Sequence, residues 1–551
     1  MKRGNSSHRP EKIVFENAIL WAGKPLIKCN GGMCVCEGKI TEVFHKGQES
    51  IGDGIVVDLA GMHVIPGLID AHRHFLVSAM LGTQRDASGW TSKGDALGQI
   101  EAACRVSRGG HEWVFFSKMD HTKWRKPVLP TIREIDAVAC GAAVFVSDIT
   151  LHRGLVSSAA IHRAGLSRDR LRCADDIDAF KSGDLKGTIW EEAHGRVLFA
   201  LYRDILSSYG EEERRTIIHE EAERCLKMGL THVHDPGLPW DMQIHLKEVQ
   251  ERTPLKLSWS VTSHECLYLH PEQKDEEQAL QSDHAPRSAK FFLDGAHRTA
   301  ASMPVMAGVK ALVRAGIESA SGLSLAPLRL LFEQKIVLQG GSLAMPYLRY
   351  RDINDLVSHA SFFTERGYRL VIHALGNSAA CQASELVRTL NPEGGSSIEH
   401  VLVMGEEDLD LFAAAPSVAS IQPGFIPIYA ETLLRQGAVP YLKVFPLGSL
   451  KKRGVPVCIS SDGPCGPDDP LYNIRRAVDR KTSDGVVLDA GEGISESDAL
   501  AAGSLGGSES LGIRNDGLTP GADATFCVVD GDPFGAGSRV VQTWIDGVRV
   551  V

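Results

Sequence analysis

Two histidines two positions apart, His72 and His74, end an apolar run that begins at Val64 and passes through Pro66-Gly67-Leu68-Ile69-Asp70-Ala71. In an extended chain, side chains at i and i+2 share a face, so both imidazoles can address one point. Neutral imidazole is a common metal ligand. An isolated H-x-H serves hydrogen bonding equally well, and what gives this pair weight is its company. Lys290, His373, His400 and Asp462 each lie in a later apolar run, and all but Lys290 close theirs. Histidines and a carboxylate converging on one point can hold divalent metal and make water reactive.

The elements that must position these residues read as alternating strands and helices. After the run at 64–75 come Gly229–Asp235, Leu255–Val261, Ala289–Gly295, Tyr368–His373, Ser397–His400, Val418–Pro423 and Val455–Asp462, eight strand-type runs in all. Helical spacing between them, as in Arg214–Leu226, points to a parallel α/β fold and a (β/α)8 TIM barrel, whose chemistry sits at the C-terminal ends of its strands. The stretch at about 76–210, with strands of its own at Trp113–Phe116 and Ala143–Val146, reads as an α/β insertion over the barrel mouth. A long, mostly helical segment at 302–345 carries apolar Val309, Leu312, Val313, Leu328, Leu330 and Leu331, suiting a lid or a homodimer contact. Short strands broken by glycine turns at both chain ends suggest a composite β-sandwich from 1–63 and 491–551, with the barrel at 64–490.

Composition narrows the partners. A net charge of −10 over 551 residues argues against nucleic acid and anionic membranes, which need a basic face. Apolar runs fall short of a bilayer span, and the first residues lack the apolar core of a signal peptide. Twelve cysteines without regular spacing suit a reducing, cytoplasmic setting. Cys34 and Cys36 form a lone C-x-C inside a strand, where packing explains them better than a metal.

Taken together, Pro66–His74, Lys290–Gly295, Val371–Gly376, Ile398–His400, Gln422-Pro423, Ser461–Pro464 and the tail Gly517–Ala524 resemble the amidohydrolase superfamily. The likeness is to its amidohydrolase-3 branch, which includes N-substituted formamide deformylase. The resemblance implies a metal-dependent hydrolase of C–N bonds acting on a small-molecule amide. It implies two divalent metal ions, zinc by default, bridged by a CO2-derived carbamate on Lys290. His72, His74 and Asp462 would hold one ion, and His373 and His400 the other. Asp462 would be the general base. It also marks His152 and Glu191 in the insertion, with Asp294 and Gln422, as substrate-binding residues.

Two other functions share much of this pattern. A mononuclear aminoheterocycle deaminase uses the same histidines and aspartate without the bridging lysine. A catalytically silent barrel would have lost ligands, whereas all six positions are filled here. A second H-x-H, His232 and His234, lacks the Pro-Gly-Leu-Ile-Asp-Ala context and is expected to serve hydrogen bonding. Asn377 stands where the family usually has aspartate, and Gly424-Phe425 where a histidine often follows shortly, so substrate choice does not carry over.

Overall fold

Eight strands run parallel in one sheet: β1 Leu68–Asp70, β2 Leu230–Leu238, β3 Lys256–Thr262, β4 Ser288–Phe292, β5 Arg369–Ala374, β6 Ser396–His400, β7 Val418–Ile421 and β8 Val457–Ile459. Their spatial order is their chain order, β1 through β8. Each of the eight apolar runs supplies one strand, and the result is a TIM barrel with a further sheet domain. The two ends of the sheet meet through the residues that matter most. Asp462 N–H donates to His72 C=O at 2.8 Å, and Ser461 N–H donates to Asp70 Oδ1 at 3.0 Å. This computed structural model describes residues 12–48, 54–106, 112–171, 173–179, 182–262, 287–296, 298–321, 335–430 and 441–551.

The first apolar run does not form one strand. His63–Pro66 pairs with Phe526–Asp530 in the sheet of the chain ends, and only Leu68–Asp70 joins the barrel. Gly67 is the joint between the two sheets. A Cβ there would lie 2.7 Å from Thr231 Oγ1 and 2.9 Å from Thr525 Cγ2, so any other residue would push the domains apart.

Two helices follow the boundary expected at 490/491. Helices Glu496–Ala502 and Leu505–Leu511 pack on the barrel, and a Cβ on Gly507 would meet Ile69 at 2.8 Å. The end domain is one eight-stranded sheet that curls until Lys39 bridges to Asp523, enclosing Phe15, Leu20, Met33, Phe526 and Trp544.

The insertion carries a six-stranded sheet, of which Trp113–Met119 and Ala143–Asp148 are neighbours, packed over Trp90, Phe116, Trp124 and Val144. The described residues of segment 302–345 hold strands as well as the expected helix. Helix Val305–Ser321 is flanked by a three-stranded sheet of Ala301–Pro304, Ser342–Met345 and Val337–Gln339, because the chain reverses at Gly340-Gly341, both at positive φ. Val309, Leu312 and Val313 face outward on that helix, while Leu328, Leu330 and Leu331 lie outside the described residues. Among the described residues, no helix is long and apolar enough to cross a membrane.

Candidate active site

At the C-terminal end of the barrel, His72, His74 and Asp462 each turn one ligand atom inward, all within 4.8 Å of one another. Asp462 Oδ1 lies 3.4 Å from His72 Nε2 and 3.3 Å from His74 Nε2. The histidines of β5 and β6 complete the cluster. The His400 ring centre is 4.8 Å from that of His72 and 4.4 Å from that of His373. Lys290, on β4, is fully buried, with its ammonium nitrogen 5.3 Å from the Phe292 ring, which in turn leans on His373.

Alternation along a strand cannot by itself aim all these groups at one point, and the backbone departs from it where needed. His400 has φ of 75° and Asp462 has φ of 54°, in the left-handed region that costs non-glycine residues on the order of 1–3 kcal/mol. At β6 this lets Glu399 and His400, neighbours in sequence, both face the site. Glu399 Oε2 accepts from His72 Nδ1 at 2.6 Å, and Ser397 Oγ donates to Glu399 Oε1.

Arg73, between the two histidines, points the other way. It is wholly buried, donates to Glu221 Oε1 at 2.7 Å and to Asp468 Oδ1 at 2.7 Å, and shares both carboxylates with Arg224. The H-x-H segment is thereby tied to helix Glu211–Lys227 and to the loop after β8. Removing one partner of such a buried pair typically costs about 3–5 kcal/mol.

Charge follows from burial and neighbours. Burial would raise the Asp462 carboxyl, but the hydrogen-bonded His72 and His74 hold it well below the usual carboxylate range. Burial drives His373 well below the usual imidazole range and His400 down to about 3, so both are neutral rings with lone pairs to offer. Burial also pushes Lys290 down to about 8, against the pull of Glu399, Asp462 and Asp235. Among the described residues, two buried atoms at this mouth, Lys290 Nζ and His373 Nε2, have no hydrogen-bond partner, and Asp462 Oδ1 has only the two imidazole nitrogens at 3.3 and 3.4 Å. Each such orphan costs roughly 1–3 kcal/mol. Imidazole nitrogens, a carboxylate oxygen and a deprotonatable amine form a donor set that divalent cations would satisfy.

The insertion contributes from above. His152 sits 5.4 Å from His373, ring centre to ring centre, and its Nδ1 meets Glu191 Oε2 at 2.5 Å. Leu151, just before it, and Glu191 itself both have positive φ, 57° and 40°. Burial lowers the His152 ring, but Glu191 outweighs it and the net shift is upward. Glu191 also accepts from Arg298 N–H and lies directly against Gly295, where a side chain would occupy the space of its carboxylate.

The other two residues expected to touch substrate do different work. Asp294 is buried beneath the loops. Its two oxygens accept from the backbone N–H groups of Ala300, Leu375 and Gly376 at 2.9–3.0 Å, and burial pushes it up to about 7 against them. Gln422, also buried, presents Oε1 to His400 Nδ1 at 3.1 Å and donates to Ser460 Oγ at 2.9 Å. Both polar groups are thus engaged within the protein, Asp294 by backbone amides and Gln422 by His400 and Ser460. The second H-x-H is absorbed by hydrogen bonds: His232 Nε2 meets Ser258 Oγ, and His234 meets Ser258 and Ser260 through its two nitrogens, at 2.8–2.9 Å.

Comparison with known proteins adds four findings. The model of a family described as the amidohydrolase family matches residues 55–551. The chain is 25% identical to the N-substituted formamide deformylase of Arthrobacter pascens, covering 94% of this chain and 93% of that protein. It is 24% identical to a putative amidohydrolase of Bacillus subtilis (strain 168), covering 87% and 86%. In fold it resembles an uncharacterized metal-dependent hydrolase from Pyrococcus horikoshii, with a TM-score of 0.66 and 19% identity over 95% of this chain and 98% of that one.

Proposed function

The chain belongs to the amidohydrolase family, and we propose from that premise that it uses metal-activated water to hydrolyse an amide or closely related C–N bond of a small molecule. One observation carries the reading. Five ligand-type side chains from β1, β5, β6 and β8 meet at one mouth, around buried polar atoms that the protein itself leaves unpaired. His72, His74 and Asp462 would hold one divalent ion and His373 and His400 a second, with zinc suited to this nitrogen and oxygen set. Lys290, its amine pushed down to about 8 by burial, would have a neutral fraction near pH 7 that could add carbon dioxide with release of a proton, and the resulting carbamate would offer the ions further oxygen ligands. When bound, the ions would polarise the scissile carbonyl and lower the pKa of water towards neutrality.

The chain's own residues account for the rest. Asp462, held ionised by His72 and His74, would take the proton of the attacking water and deliver it to the leaving amine. Glu399 and Gln422 hold His72 and His400 through Nδ1, leaving each Nε2 its lone pair. His152, steadied by Glu191, reaches from the insertion to His373 and is the side chain best placed to touch the substrate.

The printed activity of the Arthrobacter pascens relative makes N-formyl and other N-acyl amides the first substrates to try. Metal-loaded protein should release amine from at least one of a panel of N-formyl, N-acyl and cyclic amides. Chelation should abolish the release and added metal restore it. A second reading, a one-metal deaminase, is favoured by how tightly His72, His74 and Asp462 cluster. Loss of ammonia from an aminoheterocycle, with every amide untouched, would select it.

A further inference from the structure

Glu399 lies beside the proposed ligands without being one of them, and its surroundings give it a specific task. Its carboxylate is almost wholly buried and both oxygens are engaged, Oε2 by His72 Nδ1 at 2.6 Å and Oε1 by the Ser397 hydroxyl. The attraction between Glu399 and Lys290 does not explain where its two oxygens point, because Lys290 Nζ makes no hydrogen bond to either of them. Nor does strand packing, since an apolar residue would fill the same space without burying a charge. The contrast with Gln422 is instructive: the same Nδ1 position on His400 is held there by a neutral amide.

We propose that Glu399 is a positioning residue that sets the metal affinity of the site through His72. A carboxylate on Nδ1–H fixes the tautomer with the lone pair on Nε2, the nitrogen 3.4 Å from Asp462. It also draws the Nδ1 proton towards itself, which raises electron density on Nε2 and strengthens it as a donor. Ser397 stops the carboxylate from rotating, so the direction of the lone pair is fixed as well as its presence. The left-handed backbone at His400 is what permits the arrangement, since regular alternation would turn Glu399 away from the residue that follows it. The proposal rests on the metal-dependent reading above.

The test uses full-length protein stripped of metal and titrated with Co2+. The visible absorption of the cobalt reports the coordination, and competition with a chromophoric chelator gives Kd. Glu399→Gln keeps the shape and removes the charge, and should weaken Co2+ binding about 10–100-fold and change the visible spectrum. Ser397→Ala keeps the charge but frees the carboxylate, and should weaken binding in the same direction by a smaller factor. It also carries the test if Glu399→Gln does not fold. If either folded variant binds Co2+ with the wild-type Kd and spectrum, the proposal is overturned, whatever happens to the melting temperature of the metal-free form. If wild-type protein itself binds no Co2+, the metal-dependent reading fails first, and the two failures are told apart by that control.

Discussion

Replacing Gly295 by alanine adds one methyl group at the place where the insertion presses on the barrel. The new Cβ would fall closer than 3.0 Å to Cδ, Oε1 and Oε2 of Glu191, nearer than real Cβ atoms approach. Glu191 cannot swing into water, because it is buried and holds both His152 Nδ1 and Arg298 N–H. Relief therefore means giving up the charge-assisted bond to His152, at about 1.5–3 kcal/mol, or displacing the loop after β4 at a similar cost. A loss of about 2–3 kcal/mol follows, and the apparent thermal midpoint should fall by about 2 °C in a chain of 551 residues. The cost belongs to the pair, so a double-mutant cycle isolates it. With Glu191→Ala already in place, Gly295→Ala should cost less than about 0.5 kcal/mol. Equal drops in both backgrounds, or no drop in the first, would refute the claim that Glu191 is what Gly295 makes room for.

Lys290→Met tests the burial of the amine. Burial lowers Lys290 from 10.5 to about 8, so between these values the unfolded chain binds a proton that the folded chain does not, and stability of the metal-free protein rises with pH. At about 1.4 kcal/mol per pH unit, the metal-free variant should be the more stable by about 3 kcal/mol below pH 8. That gap should close by pH 10.5, and a gap independent of pH would contradict it. Asp462→Asn should leave the fold intact and lower kcat by about 10²–10⁴-fold on any substrate the wild type cleaves, as loss of a general base predicts. Unchanged turnover would remove Asp462 from the chemistry.

The sequence made the barrel legible because its eight apolar runs are short and most end in a polar residue of ligand type. What it concealed has physical causes. The run at 64–69 is uniformly apolar, and periodicity does not mark the place where it passes from one sheet to another at Gly67. Helices Glu496–Ala502 and Leu505–Leu511 are rich in glycine, serine and alanine, which hides their packing on the barrel. Glu399 sits next to a candidate ligand, and alternation argues that neighbours face opposite ways until the φ of 75° at His400 is known. Asp294 and Gln422 carry polar atoms suited to substrate, and the backbone amides and ring nitrogen that engage them come from distant parts of the chain that sequence does not bring together. His152 and Glu191 lie 39 residues apart, and the insertion's sheet brings them together.

Crystals of metal-loaded protein, with anomalous diffraction recorded at the absorption edge of the metal, put the central claim to its most direct trial. The account predicts two peaks, one within bonding distance of His72, His74 and Asp462 and one beside His373 and His400, with density continuing beyond Lys290 Nζ between them. A single peak with an unmodified lysine would leave the one-metal reading in its place. No peak at the barrel mouth would contradict the account at its root.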